Sequence, residues 1–155
     1  MGSLGVGTPD VAGPPTPSGY RMLPRAGGVT VEAWGPDRES CLREAVLGTV
    51  ASFADTAGAT AEASCPLYLG TRTDADALVY LLDEAIYSVR VRRLVPVDAV
   101  VERGLHAAPC ILFRSAPLDY RIRIIGPCPR SVSREDLRLA ADVPGLWCAR
   151  VALNC

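Results

Sequence analysis

The residues able to do chemistry are few and scattered. The one histidine, His106, stands in the segment GLHAAP four residues before Cys110. Cys–His catalysis would have to use it, and a lone loop histidine is ordinarily just solvated. The six cysteines (Cys41, Cys65, Cys110, Cys128, Cys148 and Cys155) include no Cys-x-x-Cys pair. A structural zinc site normally wants paired ligands at short spacing, so they are poor material for one. Gly27-Gly28 is not followed by Lys-Ser/Thr and makes no phosphate loop. No serine occupies a nucleophile elbow. Asp74, Asp76, Asp83 and Glu84 fall in the first turn and on the outer side of an expected helix. Compensation of the helix dipole and a solvated face account for them. Arg90, Arg92 and Arg93 follow that helix. Cations there complement its C-terminus, or, together with Arg121 and Arg123, they make a patch for RNA phosphates or a partner. Both alternatives stand. An enzyme or redox protein would have to rest on Cys148, Cys155 or His106, and nothing in the inventory makes an enzyme by itself.

Composition narrows the classes further. At 155 residues, 49% hydrophobic and 21% charged, the chain is suited to one soluble globular domain with a sizeable core. A net charge of −1 gives no general attraction to nucleic acid or anionic membranes, so direct nucleic-acid binding should be weak or absent. All sixteen basic residues are arginine, which coding bias in a GC-rich genome explains as well as selection for phosphate recognition does. No apolar run approaches membrane-spanning length, and no basic n-region precedes an apolar stretch at the N-terminus. The expectation is a cytoplasmic protein whose cysteines are reduced and mostly fill the core.

The clearest element that could position such residues is Val29 to Thr56. Val29, Val31 and Ala33 alternate with Thr30 and Glu32, the period of a half-buried strand. Gly35-Pro36 breaks it, and Asp37 stands where a helix N-cap should. Leu42, Ala45, Val46, Thr49, Val50 and Phe53 then form one amphipathic stripe. Residues 1–19, rich in Gly, Pro, Ser and Thr, predict a disordered tail, and residues 20–155 a single domain. Cys65 to Leu69 reads as a short strand that Pro66 pushes to an edge. Thr73 or Asp74 should cap a second helix with Leu78, Leu81, Leu82, Ala85, Ile86 and Val89 on its stripe. Strands follow over Leu94 to Arg103, Cys110 to Arg114 and Asp119 to Ile125, the last with Tyr120, Ile122 and Ile124 on one face. Ser131 to Asp136 reads as a turn, Pro144-Gly145 as another, and Trp147 to Leu153 as a closing strand whose end is free to line a surface site. The predicted class is α+β, two amphipathic helices packed on a mostly antiparallel sheet.

Four segments carry a family resemblance. VTVEAWGPDRESCLREAVLGTVASF resembles the first strand and helix of the archease family, and DADALVYLLDEAIYSV its leucine-rich second helix. SVSREDLRL is similar to the family's Ala-Val-Thr-Tyr-His-x-Leu-x-Val stretch, and LWCARVALNC to its closing Trp-x-Ala-x-Val-x-x-Asp strand. The resemblance runs from about Met22 to Cys155 and implies a compact α+β fold. It also implies an accessory role for the RNA ligase that joins tRNA halves, exercised through a bound divalent metal such as calcium, with no enzymatic activity of its own.

Matched residue by residue, the family's His-Thr-Ala-Asp falls on Arg25-Ala26-Gly27-Gly28, which puts Gly28 where the metal-holding Asp belongs. The carboxylate near the C-terminus falls on Asn154, and the His of the Tyr-His pair on Glu135. A hard cation depends on anionic oxygen ligands. The expectation is therefore a lost metal site and no cofactor, with Arg25 in the cation's place beside Asn154, Glu135 and Asp136. The alternative is an interaction or scaffold module that kept the fold and took another protein partner.

Overall fold

The computed structural model describes residues 17–103 and 109–155. His106, and residues 1–16 of the tail expected over residues 1–19, lie outside the described residues, while Gly19 already belongs to a strand. Strand β1 (Gly19–Arg25) turns into β2 (Gly28–Gly35), and α1 (Arg38–Ala51) follows. Next come β3 (Ala63–Tyr68), α2 (Asp74–Tyr87) with a π-helical turn over Ser88–Arg92, β4 (Leu94–Glu102) and β5 (Cys110–Pro117). Strands β6 (Ser131–Val143) and β7 (Leu146–Asn154) end the chain. Two sheets result, of order β1-β2-β7-β6 and β3-β5-β4, and a two-residue bridge joins Ala54–Asp55 to Arg123–Ile124. Every pairing among the described residues is antiparallel, so the α+β expectation holds.

The local reasons are those legible in the residues. Asp37 caps α1 by accepting from the Ser40 N–H at 2.8 Å, and Thr73 caps α2 by accepting from that of Asp76 at 3.2 Å. Leu42, Ala45, Val46, Leu78, Leu81 and Leu82 are sealed together with Val31, Val151 and Leu153 of the four-stranded sheet. Burial on that scale, about 1.5–3 kcal/mol for each large aliphatic side chain, drives the packing. A smaller cluster gathers Val50, Phe53, Val89, Val95, Ala116 and Ile122. Pro66 does lie on an edge strand, β3, where a missing N–H costs the ladder least.

Two expectations are corrected, and one strand had no reading in the sequence. Gly19 to Arg25 shows no alternation in the sequence, yet it is a strand, on the outer edge of its sheet. Of Asp119 to Ile125 only Arg123–Ile124 is extended, in the two-residue bridge. The Asp119 carboxylate accepts from the Arg121 N–H at 2.9 Å and the Ile122 N–H bonds the Asp119 carbonyl at 3.0 Å, which closes a turn. Tyr120 is consequently 93% exposed while Ile122 is 5% exposed, so they share no face. Ser131 to Asp136 is not a turn but the first half of β6. Between the pairs Arg138–Arg150 and Ser133–Ala152 the strand bulges, and Asp136 takes a left-handed φ of +59°, which aspartate tolerates better than most residues.

Candidate functional site

The β1–β2 hairpin turns through Ala26-Gly27, and Gly27 adopts φ +76°, a conformation open to glycine without steric cost. Gly28 is required for another reason. A Cβ built on it would stand 1.9 Å from the Leu153 carbonyl oxygen, because β7 presses directly against β2 there. The Cys155 N–H donates to the Gly27 carbonyl at 2.9 Å and the Arg130 N–H to the Asn154 carbonyl at 2.7 Å, which fixes that approach.

One row across the sheet reads Arg25, Gly28, Asn154, Ser131. Arg25 Nη1 donates to Asn154 Oδ1 at 3.4 Å, and Asn154 Nδ2 donates to Ser131 Oγ at 3.1 Å. The expected neighbours Arg25 and Asn154 are thus in contact. Glu135 and Asp136 share a cavity of about 330 Å³ with Arg25, and Leu23, Thr30, Arg150 and Ala152 are among its other lining residues. Sequence reasoning missed Thr30 and Arg150. The signal was the strand register, which pairs Leu23 with Thr30 and Thr30 with Ala152, and it depends on a contact over more than a hundred residues.

Beside this cavity runs a charge ladder. Glu32 accepts from Arg21 at 2.6 Å and pairs with Arg150. Partial burial pushes the Glu32 carboxyl up, but the two guanidiniums outweigh it and hold its pKa below the ordinary value. On the opposite side of the hairpin lies a larger, mostly apolar cavity of about 600 Å³, lined by Met22, Val29, Ala51, Ile125 and Pro127 with Cys155 among its lining residues.

The arginines expected to form a phosphate or partner patch are committed separately. Arg90 donates to the carbonyls of Pro129 (2.8 Å) and Cys128 (2.9 Å), and Arg92 stacks on the Tyr87 ring at 4.9 Å. Arg121 is clasped by Asp119 and Glu62, each at 2.8 Å. Arg93 ends the π-helical turn with φ +59°, and Arg123 is exposed. All six cysteines are free. Burial pushes the Cys41 thiol up to about 12 and raises those of Cys110, Cys128 and Cys148, the reverse of an activated thiolate. Among the described residues no group of three or more His, Cys, Asp or Glu is placed to hold a metal, and no helix is long and apolar enough to cross a membrane.

Comparison with known proteins places this architecture. The model of the archease protein family matches residues 20–114. Two curated relatives named "probable protein archease", from Mycobacterium tuberculosis strains CDC 1551 and H37Rv, are each 35% identical over 136 residues, covering 88% of this chain and 75% of the relative. The chain belongs to the archease family. Its fold matches the solution structure of Methanobacterium thermoautotrophicum protein 1598 with a TM-score of 0.69, over 88% of this chain and 99% of the other, at 18% identity.

Proposed function

We propose that this chain is a non-enzymatic, archease-like accessory protein that works in the cytoplasm on a protein partner, in the line of proteins that assist a tRNA-joining RNA ligase. We further propose that it does so without the divalent cation the family resemblance implies. The observation carrying this is the space at Gly28. The resemblance asks for a carboxylate at that position, but the Leu153 carbonyl fills the place of its Cβ. The other two positions supply a guanidinium, Arg25, and a neutral amide, Asn154. A hard cation needs anionic oxygens, so this donor set does not fit it. Arg25, touching Asn154 from the same row, stands where the cation's charge would be needed.

Two measurements test the proposal. Calcium or magnesium added to the full chain should leave its thermal midpoint unmoved, because only a ligand that binds the native state raises it. A reproducible rise would overturn the loss of the metal. Capture of an RNA ligase from solution, with stimulation of its guanylylation in the absence of added calcium, would support the accessory role. The alternative, a scaffold module with a different partner, is favoured if the ligase is neither captured nor stimulated.

A further inference from the structure

The cavity on the outer face of the four-stranded sheet holds opposite charges apart. Arg25 lies in its wall, and the only hydrogen bond of its guanidinium to a described residue is the 3.4 Å contact with the neutral Asn154 amide. Glu135 and Asp136 lie in the same wall system, and neither carboxylate is within ion-pair distance of a described arginine. Nearby carboxylates behave otherwise: Glu32 is paired with Arg21 and Arg150, and Asp142 with Arg138. Thr30 adds a polar group to the wall. It is 8% exposed and lines the cavity, and among the described residues no buried side-chain nitrogen or oxygen is left without a hydrogen-bond partner. What remains accessible of Thr30 therefore opens on this space.

We propose that this cavity binds a small zwitterion, a molecule carrying a carboxylate and an ammonium, the class of the free α-amino acids. The carboxylate is held by Arg25, whose planar fork matches it, and the ammonium by Glu135 and Asp136. Thr30 supplies a hydroxyl to either end. Leu23 and Ala152 give an apolar wall for the ligand's carbon skeleton. A volume of about 330 Å³ is at the small end of ligand sites, which suits a molecule of a few heavy atoms. A simple anion such as phosphate would meet two carboxylates, and a simple cation would meet a guanidinium. Only a ligand with both charges completes both sides. The β6 bulge that carries Glu135 and Asp136 is the device that sets them there: three more residues lie on β6 than on β7 between matched pairs, with Asp136 at φ +59°.

The proposal rests on the reading that no divalent cation occupies these residues, and the test separates the two. The full chain is titrated with each common L-amino acid, followed by thermal midpoint and by amide NMR shifts of the hairpin. Acetate, methylammonium, inorganic phosphate and calcium chloride serve as separate arms. The expected result is a saturable shift with one or more amino acids, centred on residues 23–30 and 133–137, and at least tenfold weaker binding of acetate and methylammonium. Arg25→Gln and the double variant Glu135→Gln/Asp136→Asn should each weaken amino-acid binding at least tenfold without lowering the ligand-free midpoint. All three positions are exposed, and asparagine keeps the left-handed conformation of residue 136. No response to any amino acid overturns the proposal. So does phosphate or acetate binding that survives the double variant, since that describes a plain anion site. A calcium-induced rise lost in the double variant overturns the metal-free reading and this proposal together. Silence toward both calcium and amino acids overturns this one alone.

Discussion

On the inner face of the four-stranded sheet, Val31, Ala33, Ala149, Val151 and Leu153 lie sealed beneath the helices. One residue along the same strands, Thr30, Glu32, Arg150 and Asn154 face the other way, into a charge ladder and a polar cavity. The strands and the register are shared. What differs is what each face must satisfy. The inner face needs only apolar volume, which many residues supply. The outer face needs particular charges at particular rows, and its chemistry changes when one residue in a row changes. The row Arg25, Gly28, Asn154, Ser131 shows the consequence, because a charge-changing substitution at Arg25, Asn154 or Ser131 alters its chemistry without touching the core, whereas any side chain at Gly28 meets the Leu153 carbonyl.

Truncating the inner face should have the largest effect. Leu153→Ala removes a fully buried side chain and leaves a cavity between β7 and the helices. The expected loss is about 3 kcal/mol in urea unfolding, in keeping with buried leucine truncations. A loss below roughly 1 kcal/mol would mean that the sheet and helices are less tightly packed than described.

Gly28 joins the two faces, and adding an atom to it tests that junction. Gly28→Ala puts a methyl where the Leu153 carbonyl lies, so β2 and β7 must separate. A cost of about 1–3 kcal/mol is expected, as for overpacked cores. Gly28→Asp should be at least as costly and should not create calcium binding. A stable Gly28→Asp variant whose midpoint rises with calcium would show that the hairpin end retains a latent metal site.

The sequence made one half of this comparison readable. Alternation at Val29, Val31 and Ala33 and the helix stripes at Leu42 and Leu78 report burial locally, within a few residues. The caps are equally local, and Asp37→Ala should cost about 1 kcal/mol by leaving the Ser40 N–H unsatisfied. The outer face had no such signature. Arg25 meets Asn154 only because β7 inserts between β2 and β6, a pairing separated by 129 residues. The β6 edge strand carries Arg134, Glu135 and Asp136 in succession and Arg138 just beyond Leu137, and charges that guard an edge look like a turn when read alone. The alternation of Tyr120, Ile122 and Ile124 misled because the side chain of Asp119 bonds the backbone two residues on, a competitor that hydrophobic period does not reveal. Family resemblance supplied the positions 25, 28, 135 and 154, and only the strand register added Thr30.

The smallest effect should come from the charge ladder, and its sign with pH distinguishes it from the core. Glu32 lies between Arg21 and Arg150, and its pKa is held below the ordinary 4.5. A carboxylate whose pKa falls on folding stabilises the native state above its unfolded pKa. That contribution fades as pH drops through the folded value. Glu32→Gln should therefore cost about 0.5–1 kcal/mol at neutral pH, the range of partly exposed ion pairs. The difference from the parent chain should shrink as pH is lowered below about 4.5, where protonation of the parent removes the same charge. Leu153→Ala, by contrast, removes no titrating group, so its penalty should stay constant across that window. Parallel unfolding series of both variants between neutral and acid pH make the measurement. A Glu32→Gln penalty that does not vary with pH would assign this residue to packing and move it from the outer face's electrostatics to the core's account.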